Sequence, residues 1–144
     1  MEQHRFPVDV LVLLVREGRI LLTQRAGDIY MAGYWAVPGG KVNAGETVIA
    51  AARREAVEEV GIVVPYESLH FFGVTHHRPP HGDARIGFGF VVPDVSGEPE
   101  NIERDKCSRI AWFAPDDLPE VTMPYTKEMV RLYREKETFS LHDW

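Results

Sequence analysis

The chain has 144 residues, 44% hydrophobic and 26% charged, with a formal net charge of −6 and one cysteine. These values describe one globular domain, residues 1–144, able to bury a real core, and the acidic balance excludes a broad basic surface for nucleic-acid polymers. A lone Cys107 excludes an intramolecular disulfide and a thiolate zinc cluster.

Taken in chain order, Val8–Val15 and Arg19–Gln24 are apolar runs separated by Arg16-Glu17-Gly18, which predicts a hairpin. The run Val10–Val15 is too short to cross a bilayer. It also lacks the basic lead-in and small-residue cleavage site of a signal peptide, so a buried strand and a cytoplasmic, membrane-free location are expected. Arg25–Gly33 reads as a loop. Trp35-Ala36-Val37 reads as a short strand stopped by Pro38-Gly39-Gly40. Thr47–Val60 has the strongest helical pattern, with Thr47 placed to cap its start and Gly61 to end it in the left-handed conformation. Its expected apolar stripe is Ile49, Ala50, Ala56, Val57 and Val60.

Leu69–His77 and Arg85–Val92 are further strands joined by residues 78–84, and 95–108 reads as a polar loop. Ile110–Ala114 returns as a strand, Pro115–Pro119 as a turn, and Tyr125–Lys136 as a second helix burying Met129, Leu132 and Tyr133.

The stretch from Gly40 to Ile62 carries the chemistry. Glu55, Glu58 and Glu59 stand at i, i+3 and i+4, so a helix holds their carboxylates on one face. Three acids that close repel one another unless a cation lies among them. Hard divalent ions take such oxygens, and Mg²⁺ is usually completed by water and substrate phosphates. Arg54 is placed to hold Glu58 four residues on. A glycine pair, Gly39-Gly40, lets backbone approach a ligand or ion closely. An acidic helix face alone is usually solvated surface; the glycines and Arg54 favour a metal–phosphate site.

Gly40, Glu46 and the run Arg54-Glu55-Ala56-Val57-Glu58-Glu59-Val60-Gly61-Ile62 resemble the signature box of the Nudix hydrolases. Ala56, where a larger aliphatic residue is more usual, is the one departure. The resemblance implies an α/β fold, an α/β/α sandwich with a mixed sheet between helices, and hydrolysis of a diphosphate linkage by water. It implies Mg²⁺, with Mn²⁺ able to replace it, on Glu55, Glu58, Glu59 and the carbonyl of Gly39. Glu46 takes a more structural role. Related enzymes often draw a base from the loop before the last strand. Glu98, Glu100 and Glu103 lie there, and Glu103 is favoured, with Glu55 as the other candidate base.

Arg25, Tyr34, Arg78, Arg85 and Asp116 are candidate substrate contacts. His76 and His77 are adjacent on a strand and point to opposite faces, which argues against a shared ion, with His81 in the loop beyond. The short chain is similar to small family members that act on nucleoside triphosphates, ordinary or oxidised. ADP-ribose or a nucleotide sugar is the alternative substrate, and a non-catalytic nucleotide-binding module the alternative of another class. The partner expected is a small nucleotide, and the apolar N-terminal strands offer a surface for a homodimer.

Overall fold

The computed structural model describes Met1–Trp144. Eight strands and two helices follow in the order β1 (Val8–Arg16), β2 (Arg19–Arg25), β3 (Trp35–Ala36), β4 (Gly39–Lys41), α1 (Val48–Val60), β5 (His70–His77), β6 (Arg85–Val92), β7 (Cys107–Phe113), α2 (Pro124–Glu135) and β8 (Phe139–His142). The strands form one mixed sheet in the order β3-β2-β1-β6-β5-β8, with β4 also on β1 and β7 on β2. β1·β6 and β5·β8 are parallel; the other pairings are antiparallel.

β1 and β2 pair only beside their turn, at Val15–Ile20 and Arg16–Arg19. Beyond it β1 runs between β4 and β6, while β2 runs between β3 and β7. The alternation of β1 separates two cores. Val10, Val12 and Leu14 pack with Ala51, Ala52, Ala56 and Val60 of α1. Leu11, Leu13 and Val15 pack with Met129, Val130 and Leu132 of α2. A sheet with a helix on each face is the sandwich expected. Leu13 is fully buried in the second core. Leu13→Ala is therefore expected to cost about 2–5 kcal/mol, measurable by denaturant unfolding.

Several expectations change. Gly39-Gly40 does not merely end a strand: with Lys41 it forms β4, paired with Asp9, Val10 and Leu11 of β1. A Cβ on Gly39 would collide with the Val10 carbonyl, so only glycine lets the two backbones lie this close. On α1, Thr47 accepts from the Ala50 N–H and Gly61 is left-handed (φ 68°), as the caps predict. The buried stripe, however, is Ala51, Ala52, Ala56 and Val60; Ala50 and Val57 face outward. Small side chains bring the helix axis close to β1, so Ala51 and Ala52 are core residues.

The last strand of the cores starts at Cys107, earlier than Ile110, and β8 adds a parallel edge strand beside β5. Every residue from Val10 to Val15 is buried within this chain. No helix is long and apolar enough to cross a membrane.

Candidate active site

The glutamates of α1 meet the backbone of β4. Glu59 Oε2 accepts from the Gly39 N–H at 2.7 Å. On Gly40 a Cβ would lie 2.5 Å from Glu55 Oε1, so the glycine clears space for that carboxylate. Burial pushes the Glu59 carboxyl well above the ordinary carboxylate range; the charge of Glu55 adds to this, and the single backbone donor only partly offsets it. Burial also raises Glu55, against the hydrogen bond and charge of Arg54. Two carboxylates crowded in low dielectric with little donor compensation are costly as anions. That donor set fits a hard divalent cation, which takes carboxylate and carbonyl oxygens.

Arg54 organises the outer side of the cluster. Its Nε donates to Glu46 Oε2 (2.7 Å) and Nη2 to Glu46 Oε1 (2.9 Å), a bidentate pair. Nη1 donates to Glu55 Oε1 (2.9 Å) and Glu58 Oε2 (3.1 Å), while Nη2 also reaches the Lys41 carbonyl (3.1 Å). Hydrogen bonds from Arg54 and the Asn43 N–H hold the Glu46 carboxyl down at about 2. Glu46 thereby fixes the guanidinium that orients Glu55 and Glu58. Of the three, Glu58 is the most open to solvent.

The loop after β6 is pinned to the end of α1: Glu100 N–H donates to Val60 O (3.0 Å) and Ile102 N–H to Glu59 O (3.2 Å). Glu103, half-buried, follows these contacts, and its charge acts on both Glu55 and Glu59. Glu98 instead pairs with Arg16 at 3.1 Å, and Glu100 is exposed. Glu103 is thus the loop acid that adjoins the cluster.

A cleft of about 800 Å³ opens beside β4, on the α2 face of the sheet. Gly39, Gly40, Lys41 and Arg25 form its near wall, so the glutamates border the cleft without lining it. Its size lies within the usual range for small-molecule sites. Burial lowers the Arg25 pKa while Glu59 raises it, and Arg25 Nε donates to the Tyr30 carbonyl at 2.8 Å. Arg85 lines the cleft farther along, whereas Tyr34, Arg78 and Asp116 do not. Arg78 instead lies over the Trp144 ring at 5.6 Å. Asp9 and Tyr125, which the sequence did not single out as ligand contacts, also line the cleft.

His76 and His77 do point to opposite faces. His76 contacts the rings of Phe6 and Trp144, while His77 contacts those of Tyr125 and His142. The Nδ1 atoms of His77 and His142 are 2.8 Å apart, with ring centroids 4.9 Å apart and planes 19° apart. The rings meet end to end in nearly one plane, which is the geometry of an N–H···N hydrogen bond. Asp143 lies 3.7 Å from the far nitrogen of His142.

Comparison with known proteins gives a consistent picture. Residues 4–135 match the NUDIX domain family. The chain is 38% identical over 117 residues to an oxidized purine nucleoside triphosphate hydrolase of Danio rerio, covering 76% of this chain and 67% of that protein. It is 30% identical over 130 residues to the 8-oxo-dGTP diphosphatase of Escherichia coli, covering 89% and 98%. A crystal structure of a MutT NUDIX hydrolase from Burkholderia pseudomallei superposes with a TM-score of 0.79 at 34% identity, covering 87% of this chain and 95% of that one.

Proposed function

Because the chain belongs to the NUDIX family and is a hydrolase of phosphorus-containing acid anhydrides, we propose that it cleaves a nucleoside triphosphate, ordinary or oxidised, to the monophosphate and pyrophosphate with Mg²⁺. The observation that carries this reading is the half-buried Glu55–Glu59 pair set against Gly39-Gly40 at the mouth of a nucleoside-sized cleft. The names of the Danio rerio and Escherichia coli relatives favour triphosphates over other diphosphate compounds.

Glu55, Glu58, Glu59 and the Gly39 carbonyl would hold the ion, with Mn²⁺ as a working substitute. A divalent cation supplies Lewis-acid neutralisation of the diphosphate oxygens and lowers the pKa of water. Arg54 keeps Glu55 and Glu58 in fixed orientations, so little reorganisation is needed when charge develops. Glu103 accepts the proton of the attacking water in this scheme, with Glu55 as the alternative acceptor. Arg25, between Glu59 and the cleft, offers a cation to the phosphate chain.

Incubating the chain with nucleoside triphosphates, oxidised triphosphates, ADP-ribose, nucleotide sugars and dinucleoside polyphosphates tests the substrate class. Turnover confined to triphosphates supports the proposal. Turnover confined to ADP-ribose or a nucleotide sugar would replace it, and metal binding with no turnover would point to a binding module.

A further inference from the structure

The deep part of the cleft holds a polar group for which hydrolysis has no use. Asp9 is a carboxylate on a strand, 4% exposed, immediately before the most buried apolar run of the chain. Arg85 spends Nε and Nη2 on it, at 2.7 Å to Oδ2 and 2.7 Å to Oδ1. The Tyr125 hydroxyl donates to Oδ2 at 2.9 Å. Burial, and then the charge of Asp9, raise the Tyr125 pKa, so the phenol stays protonated and remains a donor.

The arrangement is built rather than incidental. Gly87 lies opposite Asp9 across the β1·β6 pairing, and a Cβ there would strike the Tyr125 hydroxyl and lie 2.8 Å from its ring carbon Cζ. Glycine at this position is what allows the Tyr125 ring to lie over β6 and reach Asp9. The His77 ring lies on the other side of Tyr125, 4.4 Å away and within 13° of parallel, and prevents it from swinging off.

The side-on grip on Asp9 uses one edge of the guanidinium. Nη1 and the second hydrogen of Nη2 remain unspent, on the terminal edge that adjoins the one gripping the carboxylate, in a side chain that is 26% exposed and lines the cleft. Two parallel donors match two adjacent acceptors. Asp9 neutralises the guanidinium locally, so a neutral acceptor pair suits this edge better than a phosphate. Tyr30, Met31, Met123 and Pro79 supply apolar cleft wall for a flat ring.

We infer that Arg85, locked by Asp9 and Tyr125, reads the nucleobase, and selects bases whose edge carries two adjacent acceptors: the O6/N7 edge of guanine or the O2/N3 edge of cytosine. This rests on the cleft being the nucleoside side of the hydrolytic site. Adenine sets an amino donor beside N7, thymine and uracil carry an N3–H, and 8-oxoguanine carries a hydrogen on N7. Each breaks the acceptor pair. Arg85 is then a specificity residue that discriminates against oxidised guanine rather than for it.

The test is equilibrium titration of the full chain with dGMP, dCMP, dAMP, dTMP, 7-deaza-dGMP and 8-oxo-dGMP, followed by kcat and KM on the matching triphosphates. One bidentate pair predicts that dGMP or dCMP binds roughly ten- to hundredfold more tightly than dAMP and dTMP. If guanine leads, the 7-deaza and 8-oxo analogues lose that advantage; if cytosine leads, dCMP alone is favoured. Arg85→Gln should flatten the ranking through KM with little change in kcat. Equal binding of all four bases, or undiminished binding of 7-deaza-dGMP where guanine leads, overturns the inference. The analogue series on the natural chain decides the matter even if the variant fails to fold. Base-selective binding without turnover would remove the hydrolytic proposal and leave this one, whereas turnover without base selectivity would do the reverse.

Discussion

Glu59→Gln is expected to lower Mg²⁺-dependent turnover by at least roughly a hundredfold, because in the proposed site it removes one charged ligand and with it several kcal/mol of transition-state charge stabilisation. The fold should survive. A glutamine oxygen can still accept from the Gly39 N–H, as Glu59 Oε2 does at 2.7 Å. The substitution also removes a half-buried charge that Glu55 repels. The melting temperature without metal should therefore hold or rise. Added Mg²⁺ should raise the melting temperature of the natural chain by mass action, and that of the variant much less. Turnover at the natural rate would show that Glu59 is no ligand.

Arg54→Lys is the second large effect, although it keeps the charge. Arg54 divides five hydrogen bonds among Glu46, Glu55, Glu58 and the Lys41 carbonyl. A single ammonium cannot reproduce the planar fork. Glu55 and Glu58 would lose their common tether, and loss of such supporting contacts typically costs about 10–100-fold in metal affinity or activity. The Mg²⁺ dependence of kcat/KM should move to higher concentration in the variant. An unshifted Mg²⁺ dependence would mean that the carboxylates are held by the backbone of α1 alone.

Local signals in the sequence carried the elements that depend on neighbours along the chain. Thr47 and Gly61 bracket α1 because each acts within one helical turn: the Thr47 side chain on the Ala50 N–H, and the Gly61 N–H on the Ala56 and Val57 carbonyls. The i, i+3, i+4 glutamates needed only that helix to share a face. The features that escaped depend on partners far away in sequence. β4 contains two glycines, poor strand formers in isolation, and exists because β1 lies against it. β8 is four residues long and is defined by its parallel pairing with β5.

The buried stripe of α1 departs from the sequence pattern for a related reason. Val57 looks more apolar than Ala51 or Ala52, yet close approach to β1 selects the small residues and leaves Val57 outside. Asp9 carries a signal of the cleft that is visible in the sequence. A carboxylate at the head of six buried apolar residues demands a partner, and the partners, Arg85 and Tyr125, lie 76 and 116 positions away.

The most direct measurement is product analysis after incubating a nucleoside triphosphate with the chain in Mg²⁺, alongside a parallel reaction in chelator. The account predicts nucleoside monophosphate and pyrophosphate in equal amounts with Mg²⁺, and neither with chelator. Nucleoside diphosphate with inorganic phosphate, or product formation that persists in chelator, would contradict it.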